Sequence, residues 1–269
     1  MKNIILTGFR DLDYLLKGLR ESELIFVGGR PCTGKSTFAL NIAQNVVEHQ
    51  KIPTLFFSLE ESISIDDLII KSRAHKKSDK IGLIIIDYLQ LLWDEGFETA
   101  QSRTSSITQK LKKLALELSI PIIVFSQLPK VVRNSDDYRP ILQDLRCIGA
   151  IEQDLDIVIF LYRDEFYNKT TECKGITEII VAKNYRGDVG AIELAFNQKL
   201  RKFVNVPEKV IKIESRGIEF KKDILKSYLE KGYDLIEEKL IDTSKSRMRI
   251  YFFRKEENGI LKITTVELN

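Results

Sequence analysis

Gly29-Arg30-Pro31-Cys32-Thr33-Gly34-Lys35-Ser36 fits the phosphate-binding pattern G-x-x-x-x-G-K-[ST] at every required position. The apolar run Leu24-Ile25-Phe26-Val27 before it reads as a buried strand of a parallel sheet. After it, Thr37-Phe38-Ala39-Leu40-Asn41-Ile42-Ala43 places Phe38 with Ile42 and Ala39 with Ala43 at helical spacing. A strand, a glycine-rich turn and a helix start together form a cradle. Glycines let backbone N–H groups turn inward, and the helix N-terminus adds positive potential. Residues Gly29 to Thr37 are therefore expected to bind a nucleoside triphosphate. In this pattern Lys35 neutralises the β/γ oxygens, and the Ser36 hydroxyl ligates Mg²⁺.

Working outward, Thr54 to Leu59, Leu83 to Asp87, Pro121 to Gln127 and Leu155 to Leu161 read as further buried strands. Helices are expected between them, from Leu15, Leu16 and Leu19, from Ile65, Leu68, Ile69 and Ser72, and from Ile107 to Leu118. Ser64 with Asp67 resembles a capping box at the second of these. Strands alternating with helices give an α/β fold, a parallel sheet covered on both faces. Segments 177–183, 189–196 and 201–206 add antiparallel strands, with turn residues at Arg186-Gly187-Asp188. Ligands of such sheets sit at the carboxyl ends of the strands. Glu60, Asp87 and Gln127 fall at that edge. A strand-end aspartate beside a phosphate loop is the expected ligand of the Mg²⁺ water shell, so Ser36 and Asp87 are the candidate metal residues. Glu60 is placed to polarise an attacking water, or to stabilise a helix start. Gln127 either senses the γ-phosphate or satisfies a strand-end backbone group.

Beyond residue 207 the pattern changes. Phe220, Ile224, Leu225, Tyr228 and Leu229 suggest one helix, and 235–241, 248–253 and 260–268 three strands, with Asn258-Gly259 as a hairpin turn. Two domains are expected, 1–207 carrying the nucleotide site and 208–269 a small α+β extension. The composition of the 269 residues, 43% hydrophobic and 30% charged, is that of a soluble globular protein. A net charge of +3 does not by itself mark a nucleic-acid binder. Cys32, Cys147 and Cys173 form no C-x-x-C pair, and His49 and His75 share no ligand spacing with them, so neither a disulfide framework nor zinc is expected. With no signal-like or membrane-length apolar run, a cytoplasmic location is expected.

Several strings resemble the motor of DnaB-type replicative helicases. They are Thr7-Gly8-Phe9-Arg10-Asp11-Leu12-Asp13, the phosphate loop and its helix, Phe56-Phe57-Ser58-Leu59-Glu60, and Ile86-Asp87-Tyr88-Leu89-Gln90-Leu91. Ser126-Gln127-Leu128, Asp144-Leu145-Arg146, Ile151-Glu152-Gln153-Asp154 and Leu161-Tyr162-Arg163-Asp164-Glu165 continue the series in the family's order over about residues 5–206. The resemblance implies a RecA-like P-loop ATPase that uses ATP and Mg²⁺ and assembles as a ring around single-stranded DNA. By it, Lys35, Ser36 and Asp87 handle nucleotide and metal, Glu60 activates water, and Gln127 couples nucleotide state to DNA loops. Arg146 and Gly149 match the loop that grips the DNA backbone; from the sequence alone, Arg146 is equally an intramolecular salt-bridge partner.

Lys183 and Arg186 resemble the segment that reaches into a neighbour's ATP site. The family's wording is Lys-x-Arg, whereas Tyr185 stands at the arginine position here and Arg186 is displaced by one residue. Cys147 replaces the family's usual Glu, a helical stretch is missing between Ser62 and Ser64, and nearly all of the linker helix is absent. The expected homo-oligomer is accordingly weak. Two further readings stand beside the helicase motor: a non-helicase module that binds ATP as a switch, and a recombination or repair ATPase of the RadA-like branch.

Overall fold

The chain divides into two compact units, Met1–Asn205 and Val206–Asn269. A computed structural model describes residues 4–129, 137–149, 152–197, 202–206, 209–213, 234–242, 247–257 and 260–268.

The centre of the first unit is built from strands whose side chains are apolar on both sides. β1 (Leu24–Gly29), β4 (Leu83–Asp87) and β7 (Ile157–Tyr162) are buried at every position, and β6 (Ile122–Gln127) at all but its last. They pair in parallel with β2 (Thr54–Ser58) in the order β2-β4-β6-β1-β7. Runs without alternation suit this position, because helices cover both faces. Leu24, Phe26, Ile84, Ile86, Ile122, Val124, Val158 and Phe160 pack on α3 (Ile65–Ser78) and α4 (Ala100–Leu118). On the other face, Phe38 of α2 (Lys35–Gln50) meets Phe9 at the start of α1 (Arg10–Leu16) and Phe125 of β6, at ring separations of 5.1 and 6.5 Å. Two-residue strands β3 (Ile63–Ser64) and β5 (Leu92–Trp93) form a small separate ladder.

After β7 the chain turns back. β8 (Ile176–Asn184), β9 (Gly190–Asn197) and β10 (Lys202–Asn205) add antiparallel strands, as the sequence led us to expect. In the second unit β12 (Asp234–Asp242), β13 (Arg247–Glu257) and β14 (Ile260–Leu268) form an antiparallel meander. β11 (Lys209–Ile213) pairs in parallel with β14. The helix expected around Phe220–Leu229 and the Asn258-Gly259 turn lie outside the described residues.

Two local expectations are corrected. Leu19 does not belong to the first helix: Lys17 and Gly18 take positive φ of 55° and 71°, ending α1, and Leu19 bridges back to Ile5. The Ser64 hydroxyl does cap α3, but it accepts from Asp66 N at 3.2 Å, so no box forms with Asp67.

Candidate functional site

The phosphate loop stands at the carboxyl end of β1 and opens directly into α2, which begins at Lys35. Gly34 precedes it at φ +92°, a left-handed conformation that also brings the backbone close to Phe203 of β10; a Cβ there would lie 2.8 Å from Phe203 Cζ. β10 is thus packed beneath the loop. Asn41, buried on the apolar face of α2, secures it by accepting from Phe203 N at 2.7 Å. A polar residue on an apolar helix face is the sequence signal for this contact.

The Arg30 carbonyl closes the loop, accepting from Thr33 Oγ1 at 2.9 Å and from Lys35 Nζ at 3.0 Å. Burial pushes the Lys35 ammonium below its ordinary pKa, opposed chiefly by the Asp87 carboxylate. An ammonium held this way lacks a strong anionic partner, which triphosphate oxygens would provide. Pro31, Cys32 and Ser36 face solvent.

Strand register gathers the other candidates on the same edge. Gly29 is level with Gln127, and Ser58 with Asp87, so Glu60 follows two residues beyond the end of β2. Asp87 is 8% exposed, and among the described residues its carboxylate has no hydrogen-bond or ion-pair partner. Glu60 is exposed at the bend after β2. Gln127 is fixed by Gln90, to which the sequence assigned no role of its own: Gln90 Nε2 donates to the Gln127 carbonyl and to Ser126 Oγ, both at 2.9 Å, and Gln90 Oε1 accepts from Gln127 N at 3.2 Å. The Gln127 side chain is left exposed. A cleft of about 350 Å³ lined by Tyr88, Gln90, Gln127, Pro129, Cys147 and Ile148 joins it to the segment carrying Arg146 and Gly149. Arg146 is exposed and has no ion-pair partner among the described residues. Gly149, at φ +76°, lies against the start of α4; a Cβ would stand 2.4 Å from Gln101 Cα.

Lys183 and Arg186 lie elsewhere. Asn184 is level with Ile157, the first residue of β7, so both sit at the edge opposite the phosphate loop. The six residues of β1 separate the two edges by about 20 Å. Neither residue reaches the phosphate loop of its own chain, and both are engaged where they stand. Lys183 Nζ donates to the carbonyls of Glu152 and Leu155 at 2.6 and 2.7 Å. Arg186, 8% exposed, meets Glu23, 2% exposed, with Nε–Oε1 at 2.5 Å, and Nη2 donates to the Gly18 carbonyl at 2.9 Å. Tyr185, at the position where the resemblance implies arginine, is 59% exposed.

Comparison with known proteins gives a consistent assignment. The model of the DnaB-like helicase C terminal domain family matches residues 5–64 and 60–205, its two segments meeting where the missing helical stretch was noted. The replicative DNA helicase DnaB of Geobacillus stearothermophilus is 38% identical over 254 residues, covering 74% of this chain and 56% of that protein. The replicative DNA helicase DnaC of Bacillus subtilis (strain 168) is 37% identical over the same shares. The chain spans about half the length of these curated relatives. A solved DnaB-like replicative helicase, described with its interactions with primase, superposes at a TM-score of 0.68 and 30% identity, covering 75% of this chain and 63% of that one. A KaiC-like protein from Pyrococcus horikoshii OT3 shares the fold at a TM-score of 0.58, with 16% identity over 77% of this chain and all of that one.

Proposed function

This chain belongs to the DnaB-like helicase C terminal domain family, and from that premise we propose that it is a RecA-like motor that binds and hydrolyses ATP with Mg²⁺ and acts on single-stranded DNA during replication. The observation that carries the proposal is the convergence, on one sheet edge, of the phosphate loop, a nearly buried unpartnered Asp87, and Gln127 opening into the cleft beside Arg146.

Ser36 and Asp87 suit Mg²⁺: an exposed hydroxyl and a carboxylate with no protein partner form a hard oxygen set. Among the described residues no three acids, histidines or cysteines come together, so an ion held by these two would keep water ligands. Bound there, it would neutralise charge developing on the transferred phosphoryl group. Lys35, released from the Arg30 carbonyl, would contact the β/γ oxygens. Glu60 would take a proton from the attacking water, and backbone amides of the loop would hold the phosphates. Arg146 and the Gly149 amide would hold nucleic-acid phosphate without reading sequence. Lys183 and Arg186 would serve a second copy, once Arg186 left Glu23.

A second reading, an ATP-binding switch without unwinding, is supported by one observation, the burial of Arg186 against Glu23 in its own chain. ATP turnover measured with and without single-stranded DNA, followed by strand displacement, separates the two. The motor shows DNA-stimulated turnover and displacement; a switch shows neither. Lys35→Ala should abolish ATP binding with the fold intact. Glu60→Gln should bind ATP and lose hydrolysis, because an amide cannot accept the proton. Undiminished ATP affinity in the first variant would remove the site assignment.

A further inference from the structure

Three tyrosine rings stack together beside the phosphate loop, Tyr167 contacting the other two. Tyr162, the last residue of β7, is 3% exposed and its ring lies 5.6 Å from that of Tyr167, within 7° of parallel. Tyr138 stacks on Tyr167 at 4.9 Å and 10°. The Arg30 guanidinium, 4% exposed and belonging to the phosphate loop, sits 5.2 Å from the Tyr167 ring centre. Tyr138 itself remains 40% exposed.

The outer ring is presented to solvent on a support that is fixed from several directions. Tyr162 OH donates to Asp164 at 2.8 Å. Arg139, adjacent to Tyr138, donates to Glu178 of β8 through Nε at 2.7 Å and Nη2 at 2.6 Å, which ties down the backbone from which Tyr138 projects. A flat ring already held in place loses little further freedom on receiving a partner. Its natural partner is another flat π-system, and base–aromatic stacking tolerates every base.

The geometry points to Tyr138 as a stacking seat for a base of single-stranded nucleic acid, backed by Tyr167; this deepens the function proposed above and rests on it. Tyr138 follows β6 in the connection that leads on to Arg146, and Tyr162 of its stack ends β7 at the same sheet edge as Gln127. Arg146 takes phosphate and Tyr138 takes a base, so the two contacts divide the strand between them. Tyr167 contacts both Tyr138 and the phosphate-loop arginine, so losing the Tyr138 ring leaves the Arg30–Tyr167 contact in place.

The test uses the full chain and two probes of equal length, an oligodeoxythymidylate and an oligonucleotide of abasic sugars. Tyr138→Leu should bind the first about 5- to 150-fold more weakly than the native chain, while Tyr138→Phe keeps native affinity. All three proteins should bind the abasic probe alike, with unchanged ATP affinity and unfolding midpoint. Independently of any variant, an iodouracil-substituted oligonucleotide photocrosslinked to the native chain should label Tyr138. Native affinity in Tyr138→Leu, an equal loss on the abasic probe, a parallel loss of ATP affinity, or crosslinks that avoid Tyr138 would each overturn the seat. A native chain that binds neither probe would instead overturn the nucleic-acid reading, and this seat with it.

Discussion

Arg186 carries its charge to a place where 8% of the side chain meets solvent, and the group facing it, Glu23, is 2% exposed. Its Nη1 has no hydrogen-bond acceptor, so the buried guanidinium is incompletely satisfied. Burial also pushes the Glu23 carboxyl above its ordinary pKa of 4.5, against the opposing pull of the Arg20 amide and of Arg186. Below about pH 4.5 Glu23 is protonated whether the chain is folded or not, and its stabilising contribution is complete. As pH rises, the unfolded chain ionises first, and the contribution is lost through the raised folded value. Stability of the native chain relative to Glu23→Gln should therefore fall above pH 4.5 and then level off. Urea midpoints of both proteins across that range check this; a gap that grew in favour of the native chain would show that the ion pair outweighs burial. None of this was legible in the sequence, because the partners are 163 positions apart and a displaced arginine carries no sign of where it turns.

At the level of elements, legibility followed burial. Ile84, Ile85 and Ile86 are all fully buried, and a run of that kind has one reading in a parallel sheet. α4 was legible only from Ile107, where Leu111 and Leu114 begin the apolar stripe. Its first two turns, from Ala100, carry little apolar pattern and are announced instead by Thr99, whose hydroxyl accepts from Ser102 N at 3.1 Å. Thr99→Ala should destabilise the first unit by about 1 kcal/mol, the usual effect of losing a cap. Denaturant unfolding reads that directly, and no change would mean that packing alone sets the start of α4. Leu19 shows the converse failure: its spacing fits a helix, but Lys17 and Gly18 turn the chain before it is reached. Of the candidate site, the strand-end residues were placed by register, whereas Gln90 and Tyr167 act through contacts that no spacing encodes.

For the molecule as a whole, the proposed function has ATP binding need only one copy, since the phosphate loop, Glu60 and Asp87 come from one chain. Hydrolysis is different if it draws on Lys183 and Arg186, which lie about 20 Å from their own loop. Removing a cation of this kind typically slows turnover about 10³–10⁵-fold. Turnover should therefore be slow in dilute solution and rise with protein concentration, with sedimentation showing mostly single chains. A stable ring with fast, concentration-independent turnover would contradict this. The opposed edges also fix a rule of counting. Joining the turn of one copy to the loop of the next is a head-to-tail contact, so a row of copies has polarity and unlike ends. An open row of n copies completes n − 1 sites, leaving its terminal loop unserved. A two-fold pair that sets like edge against like completes none, and only closure of the row gives every chain a finished site.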